Sequence, residues 1–208
     1  KERPLVVARN CRERGGTDIF IYTRNQDNLF ALITSLLDHL GLTVLDARII
    51  TGHGGYTLDS FTVLERNGAV ISTRSRIKEI SSHLTQALAQ PNTRPCAPSR
   101  YISRAHKAFR ILTKVGFHED RDTGRTVVEL VTWDRPGLLC RVGQAFMECG
   151  VQLHNAKITT VGASAEDVFF VTDLDNRPLD DAHKYLILRD ALIAHLDADV
   201  TSTSIHSS

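Results

Sequence analysis

The spacing of apolar side chains changes period several times along this chain, and it does so in the same order twice. Residues Thr17 to Arg24 alternate, with Ile19 and Ile21 on one side, and Arg125 to Trp133 alternate likewise through Val128 and Leu130. Period-two alternation predicts strands. A polar turn ends each run. Apolar residues then recur at helical spacing: Leu29, Ile33, Leu36, Leu37 and Leu40 in one place, Leu138, Val142, Phe146 and Cys149 in the other. Such a stripe predicts a helix laid on a core. Gly41 and Gly150 stand where a helix C-terminus favours a left-handed residue. Second strands are expected at Leu42 to Thr51 and Val151 to Val161, and third strands at Tyr56 to Glu65 and Glu166 to Asp173. Hairpins around Gly52-His53-Gly54-Gly55 and Gly162-Ala163-Ser164 join them. Second helices are predicted over Arg74 to Ala89 and Asp180 to Leu196, and final strands at Ile111 to Glu119 and Asp199 to Ile205.

The matching grammar has a matching text. Residues 27–51 slide onto 136–160 without a gap, so that Leu29 meets Leu138, Gly41 meets Gly150, Ala47 meets Ala156 and Thr51 meets Thr160. A repeat of this length means two copies of one small domain. The order βαββαβ in each copy predicts an α+β chain: two ferredoxin-like units in tandem, with antiparallel sheets and helices on one face. The expected boundaries are a polar, basic lead-in at 1–16, a first unit at 17–120 and a second at 121–208. The proline-rich stretch 90–100 breaks the first unit before its last strand, because its three prolines forbid a regular helix.

Composition narrows the function classes. A net charge of +1 gives no strong field for nucleic acid or for a membrane surface. The chain has no run of eighteen apolar residues and no signal peptide. Its four cysteines (Cys11, Cys96, Cys140, Cys149) form no CxxC pair, which points to the cytoplasm. Met147 is the only methionine and the chain opens on Lys1, so a longer parent is expected.

Enzyme signatures are missing. None of the nine histidines is followed by Asp, and there is no HExxH. Asp173-Leu174-Asp175 has D-x-D spacing, but no Gly-Ser phosphate turn precedes it, and a solvated acidic turn explains it. The glycines at 52–55 join two strands and open no helix, so they are not a phosphate cradle. No metal site is predicted, and no catalytic residue.

The informative place is the turn between first strand and first helix. In the second copy it reads Trp133-Asp134-Arg135-Pro136-Gly137-Leu138-Leu139. Pro136 suits a first helical turn, Gly137 lets a ligand approach the backbone, and a helix N-terminus suits a carboxylate. Simple capping by Asp134 would account for the turn alone. A second signal is the polar residue that follows two apolar ones on the second strand: Val151, Leu153, Asn155, and in the first copy Leu42, Val44, Asp46. All three are expected on one face, and a small polar ligand lying between this strand and the turn would satisfy the polar group.

At these residues the chain resembles a known family. DRPGLLCRVGQAF with HNAKITT is similar to an ACT domain, the amino-acid-sensing module built on the ferredoxin-like plait. More closely, the phrases DARIIT, DRPGLL, NAKI and DVFFVTD resemble the tandem C-terminal ACT pair of the bacterial bifunctional uridylyltransferase/uridylyl-removing enzymes. The resemblance runs from Gly15 to Leu196.

That resemblance implies a regulatory fragment, not itself an enzyme, that binds L-glutamine. It implies partners in catalytic domains in cis, in the PII signalling protein acted on by the parent, and in a parent needing Mg²⁺ or Mn²⁺, with no cofactor in this chain. Open sheet edges pair readily, so a homodimer is one expected state. In the family the ligand lies between the turn of one unit and the second strand of its partner. The implied ligand residues are Asp134, Arg135, Gly137, Leu138, Leu139, Asn155, Ala156 and Lys157. The first copy departs from the pattern, with Asp27-Asn28 in place of Pro136-Gly137 and Arg24 in place of Trp133. Its weaker candidates are Asn25, Gln26, Asp27, Asn28 and Asp46. The alternative is a free-standing ACT-repeat sensor of another amino acid, or an oligomerisation module. A small acyl phosphatase would need an anion-binding arginine on a glycine loop, which neither hairpin supplies.

Overall fold

A computed structural model describes residues 3–11, 15–52, 54–90 and 111–201. It divides into two compact units, within residues 1–99 and 100–208. The proline-rich stretch from 91 on, the connector 101–110 and His53 lie outside the described residues.

The first unit runs β1 (Leu5–Cys11), β2 (Gly16–Arg24), α1 (Leu29–His39), β3 (Leu42–Thr51), β4 (Tyr56–Glu65) and α2 (Arg74–Leu88). Its sheet order is β1-β2-β4-β3, antiparallel throughout. The second unit runs β5 (Lys114–Asp120), β6 (Arg125–Trp133), α3 (Leu138–Glu148), β7 (Val151–Lys157), β8 (Thr160–Val161), β9 (Ser164–Asp173) and α4 (Ala182–Thr201). Its order is β5-β6-β9-β7, again antiparallel, with β8 on the hairpin end of β9. The α+β class and the repeated antiparallel sheet are as expected. Gly41 and Gly150 close α1 and α3 with φ of 75° and 63°, the left-handed conformation that glycine takes without strain.

Three expectations are corrected. The lead-in is a strand: β1 pairs along its length with β2, Leu5 opposite Tyr22 and Cys11 opposite Gly16. The strand assigned to the end of the first unit is β5, and it pairs with β6 of the second, Lys114 opposite Val131 and Asp120 opposite Arg125. The outer place beside each first strand is thus filled by a segment that precedes that strand, and the unit boundary moves upstream of 111. A tight turn through Asp122 and Gly124 makes β5 and β6 neighbours at little loop-closure cost. Lastly, α4 continues to Thr201 over part of the predicted strand 199–205, whose remainder lies outside the described residues.

Each core lies between one sheet face and its two helices. In the first unit Ile19, Ile21, Val44, Ala47, Phe61 and Val63 meet Leu32, Ile33 and Leu37 of α1 and Ile80 and Leu84 of α2, all buried. In the second, Val128, Leu130, Phe169 and Val171 meet Val142 and Phe146 of α3 and Leu188 and Leu192 of α4. Phe146 packs edge-on to Phe169 with centroids 5.4 Å apart. Each valine, leucine, isoleucine or phenylalanine among them contributes about 1.5–3 kcal/mol on burial. Polar pins fix the helices. Thr73 caps α2 by accepting from the Arg76 N–H, and the Arg76 guanidinium donates to Glu65 at 3.0 Å and to the carbonyl of Leu40.

Candidate functional site

The second strand of each unit carries the same irregularity. Val44 pairs with Val63, yet Asp46 pairs with Thr62, so Leu45 is an extra residue. Leu153 pairs with Val171 and Asn155 with Phe170, so His154 is the extra one. A bulge of this kind reverses the facing of everything beyond it. Ala47 and Ala156 therefore return to the core opposite Phe61 and Phe169, and both are fully buried. Asp46 and Asn155 point to the other face of the sheet. The reading that places them on the same side as Val44 and Leu153 is overturned, because simple alternation cannot anticipate an inserted residue. His154 donates or accepts at 2.8 Å with the Thr172 hydroxyl, and burial holds its imidazole below its ordinary pKa.

The two turns are built alike. Asn28 and Gly137 precede the helices with φ of 63° and 77°, both left-handed, and neither gives a side-chain cap to its helix. Their carbonyls accept the first helical bonds, from Leu32 at 3.0 Å and Arg141 at 3.1 Å. Pro136 thus lies just outside α3 and not in its first turn. Asn28 keeps a buried Oδ1 without a hydrogen-bond partner. Asp134 is not a cap. Its N–H donates to the carbonyl of Ala163 at 2.9 Å, and its carboxylate accepts from the Thr160 hydroxyl at 3.2 Å, which ties the turn to the hairpin after β7. In the first unit the Asn25 N–H donates to Gly55 across the equivalent gap at 2.9 Å.

Asp134 is exposed, Arg135 and Leu138 are buried, and Gly137 and Leu139 are half-buried. In the first unit Asn25, Gln26 and Asp27 are exposed, while Asn28 and Asp46 are half-buried. Residues 134–139 and 25–28 are consecutive in their turns, whereas Asp46 lies on β3 opposite Thr62 of β4. Asn155, Ala156 and Lys157 lie elsewhere in the second unit: on β7, across β9 from β6, at the level of Phe170 and Val168. The strand β9 separates them from their own turn.

Two residues missed in sequence stand out. Asp59 and Asp167 occupy corresponding places on β4 and β9, on the side facing the helices, and each is 1% exposed. Asp59 pairs with Ile21 and Ile49, and Asp167 with Leu130. The signal was available. Each acid shares strand parity with two core residues, Phe61 and Val63 or Phe169 and Val171, in both copies. Burial pushes each carboxyl up to about 7, against which Thr57 and the Thr159 N–H pull only partly.

Other chemistry is sparse. Among the described residues no group of three or more His, Cys, Asp and Glu side chains could hold a metal ion. Asp173 accepts from the N–H groups of Asp175 and Arg177, which makes the D-x-D segment a hydrogen-bonded surface turn. Cys140 is buried and Cys149 half-buried. Aromatic rings on β2 and β4 of the first sheet stack on one another and on arginine, with Tyr22 still exposed. Tyr22 stacks on Tyr56 at 5.3 Å, and Arg9 lies over Phe20. A cavity of about 430 Å³ in the second unit borders His118, Asp120, Asp122, Glu129 and Phe170 and includes none of the residues of that unit's turn. No described helix is long and apolar enough to cross a membrane.

No family model matches the chain. It is 49% identical over 190 residues to the bifunctional uridylyltransferase/uridylyl-removing enzyme of Methylococcus capsulatus, a match covering 91% of this chain and 22% of that protein. It is 41% identical over 200 residues to the enzyme of the same description from Pseudomonas savastanoi pv. phaseolicola, covering 94% and 22%. The Stutzerimonas stutzeri enzyme matches at 42% over 200 residues, with the same coverage. The chain therefore spans about a fifth of the length of these relatives and is homologous to one segment of them. Among solved structures, an aspartate kinase from Synechocystis superposes with a TM-score of 0.46 at 14% identity, over 88% of this chain and 27% of that one, too loose a likeness to bear on function.

Proposed function

We propose that this chain is a regulatory amino-acid-binding module. It senses L-glutamine and controls uridylyltransferase and uridylyl-removing activities that reside in the remainder of a longer polypeptide. One observation carries the reading. A sequence 41–49% identical to a single segment of those enzymes presents, in both of its units, an uncapped helix N-terminus behind a left-handed residue. Uncapped helix N-termini suit the carboxylate of an amino acid. In this reading the chain supplies no catalytic group. Its partners are glutamine, catalytic domains in cis and, through them, PII in the cytoplasm, and any Mg²⁺ or Mn²⁺ serves the parent's chemistry.

Asn155, Ala156 and Lys157 complete the site by facing the turn of a neighbouring ACT unit, which makes an assembly of units, a homodimer included, part of the proposal. The first unit binds more weakly, because Asn28 puts a side chain where Gly137 has none. Calorimetric titration with the twenty amino acids tests the reading. Glutamine should bind, with glutamate at least roughly tenfold weaker, since a mismatched buried polar group costs on the order of 1–3 kcal/mol. Equal affinities for the two, or a better ligand of unrelated side chain, would reject glutamine sensing.

A further inference from the structure

The helix-facing side of each sheet is apolar along its centre but for one acid, and the two units keep that acid in the same place. Asp59 lies between Ile21 and Ile49, and Asp167 beside Leu130. One oxygen of each is used: the Thr57 hydroxyl donates to Asp59 Oδ1, and the Thr159 N–H donates to Asp167 Oδ1 at 3.1 Å. The supports differ. Ala165 stands where the first unit has Thr57, and the backbone of Thr159 replaces the lost hydroxyl. The second oxygen, Oδ2, is buried without a hydrogen-bond partner in both units.

A buried acceptor left unpaired twice, while its supporting donor is exchanged, is a group kept for something outside the unit. Its position says what. The charge of Asp134 adds, as the smallest contribution, to the upward push on the Asp167 carboxyl. Asp134 and Thr160 join that turn to the segment whose Thr159 supports Asp167. The turn offers the positive end of a helix, and the acid offers a negative group behind it. A zwitterion needs both.

We infer that Asp167, and Asp59 in the first unit, receive the ammonium group of a bound α-amino acid whose carboxylate is held at the N-terminus of α3 or α1. This deepens the reading given under Proposed function and rests on it. Proton bookkeeping follows. Burial, with Asp134 adding to it in the second unit, favours the neutral acid, while an adjacent ammonium favours the carboxylate. Binding therefore transfers the proton of Asp167 to solvent and leaves an ion pair.

Calorimetry at pH 6.5 on the full chain tests this with glutamine and with glutaramic acid, which keeps the carboxylate and the amide but lacks the ammonium. Titrations in two buffers of different ionisation enthalpy should show proton release with glutamine and none with glutaramic acid. The wild type should prefer glutamine by at least tenfold. Asp167→Asn should remove both the release and the preference, while binding glutaramic acid as the wild type does. The wild-type measurements decide the matter even if the variant misfolds. Glutamine binding without proton release, and with glutaramic acid bound equally well, would overturn the inference and leave amino-acid binding standing. Failure of every amino acid to bind would overturn both.

Discussion

Asp167→Asn should change how the second unit responds to pH, in a direction fixed by its burial. The carboxyl has an ordinary pKa of 3.8 and is pushed up to about 7 in the fold, first by burial and further by Asp134, against the Thr159 N–H. The unfolded chain therefore ionises this group about three pH units before the folded one does. Between those values the folded state binds more protons, so stability is full below about pH 4, falls as pH rises to about 7 and then levels off. Three units at about 1.4 kcal/mol each give a loss of about 4 kcal/mol, a large part of the 5–15 kcal/mol typical of a domain. Asparagine has the same shape and cannot ionise, so its profile lacks this slope. The stability difference between variant and wild type should swing toward the variant by about 4 kcal/mol from pH 4 to pH 8. Urea unfolding followed by the emission of Trp133, the chain's only tryptophan and part of β6, reads the right unit. Parallel profiles for the two proteins would refute the reasoning and show that Asp167 ionises freely in the fold.

Gly137→Ala should destabilise the second unit by about 1–2 kcal/mol because of its left-handed φ, and Gly137→Asn by less, since Asn28 holds that conformation in the first unit; Trp133-detected unfolding ranks the two, and an alanine variant as stable as the asparagine one would contradict it. Arg76→Ala should cost the first unit about 1–3 kcal/mol by removing its bonds to Glu65 and the Leu40 carbonyl, measured as a lower midpoint in thermal circular dichroism. The chain should neither transfer UMP to PII nor remove it with Mg²⁺ or Mn²⁺ present, and any turnover that survives repurification and vanishes in Asp173→Ala would refute the surface-turn role of that segment.

Much of the fold was legible because it is periodic. The stripe Ile77, Ile80, Leu84, Leu88 predicts a helix over 74–89, and α2 spans Arg74–Leu88. The third strand of the first unit matches its expected bounds. What escaped reading has physical causes. In β1 neither face is well buried, with Leu5 and Val7 exposed and Val6 and Ala8 half-buried, so its alternation carries little contrast. An outer strand is held chiefly by main-chain bonds, which leave no mark in composition. The bulges at Leu45 and His154 share no residue type, and nothing local marks the insertion. The run from Asp199 on, polar and β-branched, looks like a strand, but the helix that begins at Ala182 carries on through Thr201. The turn between first strand and first helix drew notice through Pro136 and Gly137, while the individual ligand residues were named only through the family resemblance. Asp59 and Asp167 were not singled out although their strand parity with core residues in both copies was legible, because an acid at the end of an apolar alternation is easily read as its break.

Amide hydrogen exchange with and without saturating glutamine tests the central claim most directly, because it asks both whether the ligand binds and where. The account predicts slowed exchange over the Asp134–Cys140 turn and over Asn155–Lys157, with a smaller effect at Asn25–Leu29. Unchanged exchange at both turns, or protection confined to the cavity beside His118 and Glu129, would contradict it.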